Sequence, residues 1–150
     1  MPDLLVRHPV VDVTWHDAVD YCRWLGERTG LALRLPTSAE WRFAAQGPEQ
    51  RCWPWGDSFE PGLCNSVEAG YGYTTPVDAW PGGTGPFGTL DQAGNVWEWC
   101  ADVVDADWRM LHGGSWLDTD WGVRSERSLP ADPRLATPNV GFRIAVSGTG

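Results

Sequence analysis

Apolar residues along the chain follow two spacings, one suited to helices and one to strands, on either side of a long stretch that suits neither. Trp15, Ala18, Cys22 and Leu25 recur at intervals of three and four residues, which gathers them on one buried stripe of a helix. Thr14 before this run, with Asp17 at the third helical position, reads as an N-cap; the helix continues to about Arg28, and Thr29-Gly30 stops it. Leu31 to Leu35 is a short extended piece closed by Pro36, after which Thr37-Ser38-Ala39-Glu40 forms a second capping box. The helix it opens runs to about Ala45 and ends at Gly47-Pro48. Runs rich in β-branched or alternating residues predict short strands at Val10 to Val13, Val96 to Cys100, Trp108 to His112, Val123 to Ser125 and Val140 to Val146, enough for a small antiparallel sheet.

Between Glu49 and Leu90 stand thirteen glycines and prolines, too many breakers for regular elements. Structureless stretches of that length usually fold around something. With 150 residues, no internal repeat and no low-complexity tract, residues 1–150 read as a single domain large enough to bury a core. Eleven Trp beside 18 Gly and 12 Pro let bulky rings supply packing while breakers keep elements short. The fold class expected is therefore α+β, with two helices, short antiparallel strands and many loops.

A formal charge of −9 argues against nucleic acid as a partner, because counterion release needs clustered Lys and Arg. No apolar run approaches the roughly 18 residues of a membrane span. Met1 to Arg7 lacks the basic and apolar blocks of a secretion signal, so the expected address is cytoplasmic. Cys22, Cys52, Cys64 and Cys100 have no CxxC pairing and are expected to be reduced structural thiols; were they oxidised, Cys52 with Cys64 would be the first pairing to test.

Two dense patches carry the chemistry: Gly94-Asn95-Val96-Trp97-Glu98-Trp99, and His112-Gly113-Gly114-Ser115-Trp116 with the following Leu117-Asp118-Thr119-Asp120-Trp121. Together with His8-Pro9-Val10-Val11, Arg34-Leu35-Pro36-Thr37, Trp53-Pro54-Trp55-Gly56, Thr75-Pro76-Val77, Pro86-Phe87-Gly88 and Gly141-Phe142-Arg143, all in order, they make the chain resemble the formylglycine-generating enzyme family, also called the sulfatase-modifying factor family, from His8 to Ala145. The resemblance implies a variant of the C-type lectin fold, shortened ahead of the first helix. It also implies calcium, which takes about six to eight oxygen ligands from carboxylates, carbonyls and water. Asp91 and Glu98 match the side-chain ligands of one family site, and Gly94 and Val96 its carbonyl ligands. Asn65 and Ser66 match half of another, where Ala69 stands in place of an expected acid and Glu68 is displaced by one position. The residues alone leave Glu98 a second reading, a buried pair with Arg124, Arg127 or Arg143.

Enzymes of this family hold copper(I) on two cysteines shortly after the Gly-Gly-Ser turn. Here Leu117 to Val123 contains none; Asp118 stands where the first thiol is expected and Val123 near the second. Carboxylates are hard ligands and do not replace a bis-thiolate. A related branch, the sulfoxide synthases, draws iron-binding histidines from a separate helical domain, whereas His8, His16 and His112 here are scattered. Ser115, His112 and Asp118 have the composition of a hydrolytic triad without a nucleophile elbow. No catalytic residue is therefore assigned. Trp116, Asp118, Asp120, Trp121 and Arg124 mix rigid aromatics with polar groups, the composition of recognition loops. The expectation is a calcium-stabilised domain binding a protein or small molecule through that surface, similar in chain position to the variable proteins of diversity-generating retroelements. The alternative is a divergent metal-dependent oxidase, of the formylglycine-generating or sulfoxide synthase type, or one part of a larger enzyme.

Overall fold

A computed structural model describes residues 5–148; Met1 to Leu4, part of the stretch read for a leader, lie outside the described residues. Both helices form where their caps predict. Helix α1 spans Trp15–Thr29 and α2 spans Ser38–Gln46. In each, the threonine hydroxyl accepts from the backbone of the third helical residue while that residue's carboxylate accepts from the threonine N–H, Thr14 with Asp17 and Thr37 with Glu40. Gly30, left-handed at φ 74°, ends α1 by donating to the Gly26 carbonyl. Arg34 donates to both Glu40 oxygens, at 2.7 and 2.8 Å, which together with the cap holds that carboxyl down at about 2.

The main sheet is built from β2 (Trp97–Asp105), β3 (Trp108–His112), β4 (Ser128–Ala131) and β5 (Val140–Gly141), in the order β4-β3-β2-β5. Strands β2 and β3 form an antiparallel hairpin in which Glu98 faces His112 and Trp99 faces Leu111. The pairing of β2 with β5 is parallel, so the sheet is mixed rather than antiparallel throughout. A separate two-stranded piece joins β1 (Leu33–Arg34) to β6 (Ala145–Val146).

The first half of β2, Trp97 to Cys100, is buried on both faces, and its alternation sorts the core. Trp97 and Trp99 pack with Ala18 and Cys22 of α1, Leu35, Leu111 and Val140, whereas Cys100 packs with Trp41 and Ala45 of α2. The indole N–H groups are satisfied by distant partners: Trp99 donates to the Val13 carbonyl, Trp15 to the Cys100 carbonyl and Trp41 to Glu98.

Three strand expectations fail. Val10 to Val13 is not a strand; Asp12 adopts φ 58° and the segment instead ties to the chain's C-terminal third, Asp12 N–H to the Thr137 carbonyl and Trp15 N–H to that of Pro133. Val123 to Ser125 lies in a turn, and the strand forms later, at Ser128–Ala131, where Pro130 reads as a breaker in sequence but is tolerated at a sheet edge. The run from Val140 to Val146 splits between the two sheets, because Arg143 turns inward to Glu98.

His112 is fully buried, stacks on Trp41 at 5.1 Å and finds no hydrogen-bond partner for either ring nitrogen among the described residues. Burial, with the nearby Arg42 charge as a lesser cause, pushes its imidazole down to about 4 from an ordinary 6.5. The unfolded chain therefore takes up this proton first. The neutral ring's contribution is fully present above about pH 6.5 and is lost as pH falls toward 4, about 3 kcal/mol in all. In an NMR titration the His112 ring should keep its neutral shifts down to about pH 5; a midpoint above pH 6 would overturn this reading.

Candidate metal and ligand-binding site

The Gly94-Asn95 turn is the junction on which both candidate regions depend. Gly94 has φ 73° and Asn95 φ 67°. A Cβ on Gly94 would lie 2.3 Å from the Asn65 carbonyl oxygen, so only glycine fits between the two segments. The buried Asn95 side chain accepts from Thr75 N–H at 3.0 Å and donates to the Thr75 carbonyl at 3.1 Å. Its backbone N–H donates to Asn65 and its carbonyl accepts from Trp116 N–H. One asparagine thus joins the glycine-rich loop to the turn before the surface loop.

Beside this junction a cleft of about 400 Å³ is lined by Asp91, Asn95, Val96, Glu98 and Arg143, among others. It brings together Asp91, Val96 and Glu98 of the predicted ligands; Gly94 is adjacent in the turn but does not line it. Glu98 is already well satisfied. Its Oε1 accepts from Trp41 Nε1 at 2.8 Å and Arg143 Nε at 2.5 Å, and its Oε2 from Arg143 Nη2 at 3.0 Å. Of the three arginines considered for this pairing, Arg143 fills the role, while Arg124 and Arg127 lie at the surface loop.

Asp91 is the opposite case. Both carboxylate oxygens are buried without a hydrogen-bond partner among the described residues. Desolvation, followed by the Glu98 charge, pushes the carboxyl up to about 7. A buried, unpaired carboxylate at φ 59° beside a second carboxylate and a turn is a donor set that fits a hard cation such as calcium. Among the described residues no three His, Cys, Asp or Glu side chains come together, so side chains alone build no transition-metal cage. At the other predicted site, Asn65 Oδ1 and Ser66 Oγ are also buried and unpartnered, but Glu68 is occupied in accepting from Asp120 N–H at 2.9 Å.

The surface loop divides into an inward and an outward part. Asp118 accepts from both the N–H and the hydroxyl of Ser115, each at 2.8 Å, and so closes the Gly-Gly-Ser turn. The serine hydroxyl is thereby directed to a carboxylate, and His112 lies stacked on Trp41, so no Ser-His-Asp relay is assembled. Val123 is fully buried with Trp53, Cys64 and Ala93. Trp116 is half-buried against Tyr73, with ring centroids 5.8 Å apart, and its Nε1 donates to the Pro138 carbonyl. Asp120 is exposed, and its carbonyl accepts from Trp53 Nε1. Trp121 is 54% exposed and carries the Arg124 guanidinium 4.5 Å from its ring. Sequence spacing missed Tyr73 and Arg127 as members of this surface, and Trp53 as the buried ring that Arg124 covers, since each arrives from a separate segment.

Where the resemblance places the first copper thiol there stands a turn-closing carboxylate, and near the second a core valine. All four cysteines are free and stand elsewhere. Burial raises the Cys22, Cys52 and Cys100 thiols above their ordinary value and pushes Cys64 up to about 12, which keeps them protonated. This donor set does not fit copper(I).

Comparison with known proteins agrees with the geometry. The sequence pattern of the Sulfatase-modifying factor enzyme 1-like domain matches residues 3–147. The Bos taurus protein named inactive C-alpha-formylglycine-generating enzyme 2 is 39% identical over 97% of the chain and 52% of its own length. The formylglycine-generating enzyme of Thermomonospora curvata is 45% identical over 68% of the chain and 36% of its own length. The chain thus spans about half or less of these relatives. Among solved structures, PvdO from Pseudomonas aeruginosa matches with a TM-score of 0.83 at 26% identity, covering 93% of the chain and 62% of that protein. Treponema denticola variable protein 1 matches with a TM-score of 0.82 at 22% identity, covering 92% and 70%, a likeness of fold. With the family pattern spanning nearly every residue, a lectin-like α+β architecture and the family's landmarks in order, the chain belongs to the sulfatase-modifying factor family.

Proposed function

We propose that this domain is a noncatalytic member of the family, stabilised by calcium, that binds a protein or small-molecule ligand through the Trp116 to Arg124 surface. The observation that carries the reading is the fate of the two thiol positions, where Asp118 is engaged with Ser115 and Val123 is buried. The name of the bovine relative, an inactive enzyme, supports it, and the fold shared with the Treponema variable protein is compatible with a recognition role.

Asp91 would supply the main side-chain ligand to calcium, with Glu98 and the carbonyls of Gly94 and Val96 beside it. When bound, the cation supplies positive charge that satisfies the unpaired Asp91 carboxylate and stiffens the Gly94-Asn95 junction under the surface loop. Removing calcium with chelator should lower the melting temperature, and restoring it should reverse the change. An identical melting curve with and without chelator would remove the ion from the proposal. In a separate assay, a cysteine-containing peptide incubated with the chain, copper and oxygen should keep its mass. Conversion of that cysteine to an aldehyde would establish the enzymatic alternative instead.

A further inference from the structure

We propose that Arg124 and Arg127, set around Trp53 and Trp121, form a carboxylate-recognition site, so that the ligand carries an exposed carboxylate beside an apolar group; this rests on the reading of the Trp116 to Arg124 surface as a ligand site. The Arg124 guanidinium lies 5.0 Å from the Trp53 ring centroid and 4.5 Å from that of Trp121. Contact with two indoles holds the guanidinium in place and leaves its in-plane N–H groups as the donors, a fork that matches a carboxylate.

Those donors are poorly used within the chain. Arg124 Nε is buried without a hydrogen-bond partner among the described residues, which leaves Nη1 and Nη2 as the groups open to a ligand; the one carboxylate paired with them among the described residues, Glu126 Oε1, is 3.4 Å from Nη1, long for a charged hydrogen bond. A second guanidinium, that of Arg127, sits 5.8 Å from the same Trp121 ring and makes no salt bridge among the described residues. Two neighbouring carboxylates are turned away, Asp118 onto Ser115 and Glu68 onto the Asp120 N–H. A chain of net charge −9 therefore presents here two cations around an exposed indole, offset by Glu126 and Asp120. Trp121 and the 58% exposed Leu117 supply the apolar contact. Glu126 acts as a weak internal competitor for the incoming anion.

The test is an NMR titration of the calcium-supplemented chain, following the indole N–H of Trp121, assigned with Trp121→Phe. The probes are a hexapeptide alternating Glu and Leu, its Gln and Leu counterpart, and free glutarate. The acidic peptide should shift the Trp121 signal and weaken with salt. Its affinity should fall about tenfold or more in Arg124→Gln/Arg127→Gln, and rise severalfold in Glu126→Gln. Arg127→Gln alone gives a smaller loss and serves if the double variant fails to fold. A response to glutarate identifies a small carboxylate as sufficient; a response to the peptide alone identifies a protein segment. Equal binding of the neutral peptide, or indifference to the arginine substitutions, overturns the carboxylate site while leaving the surface intact. No Trp121 shift with any probe overturns both.

Discussion

Arg143→Met should destabilise the domain by about 3–5 kcal/mol, because it leaves Glu98 buried and charged without its cation. Glu98 is 4% exposed and its two oxygens receive three hydrogen bonds, two of them from Arg143. Arg143 also donates to the Leu90 carbonyl at 2.8 Å, so the substitution loosens the floor of the Asp91 cleft as well. For a domain of this size the melting temperature should drop by about 10 °C. Thermal unfolding of the single variant, in chelator so that no calcium stands in for the lost guanidinium, should be compared with that of Arg143→Met/Glu98→Gln. The double variant removes both charges and should recover a substantial part of the loss, since an unpaired buried carboxylate costs more than an absent pair. A single variant that melts with the wild type would show that the pair contributes nothing.

Gly94→Ala should produce a loss of comparable size, about 3 kcal/mol or more, from positive φ and collision together. The new methyl would sit 2.3 Å from the Asn65 carbonyl oxygen and 2.8 Å from its carbon, both backbone atoms in a segment held by the Asn95 N–H. Gly88→Ala is the control: it has φ 90° but nothing within 4 Å of the added methyl. Strain alone should cost it about 1–2 kcal/mol. Chemical denaturation of both proteins measures the difference, which isolates the close approach at Gly94. Equal losses would mean that the Asn65 segment moves aside freely.

Local chemistry explains which parts of the fold were legible from sequence. The caps of α1 and α2 were readable because a hydroxyl and a carboxylate three residues apart satisfy each other within a single turn. The hairpin strand Trp108–His112 was readable for the same reason: its alternation is local. The Val10 to Val13 segment misled because β-branched residues favour extended backbone without supplying a partner strand, and here the partners are single carbonyls far along the chain. Strand β4 was hidden by Pro130, whose position at an edge only the sheet order reveals.

The candidate site divides in the same way. The absence of thiols after Trp116 and the acidic, glycine-rich character of residues 91–98 can be read from the residues in order. Whether Glu98 pairs with an arginine, and with which one, could not be. Arg124, Arg127 and Arg143 are equivalent as letters, and only the packing of residues 142–144 against β2 brings Arg143 to Glu98 while Arg124 and Arg127 meet Trp121.

By itself, then, the sequence determined family, fold class, both helices and the absence of cysteines after Trp116, because these depend on residue identity and on contacts within a few positions. The tertiary structure alone decided that Asp91 is the buried carboxylate without a partner, that Asp118 faces inward and that two arginines gather around one exposed indole. Those facts depend on burial and on contacts across many residues, which arise only when desolvation and packing act on the whole chain at once.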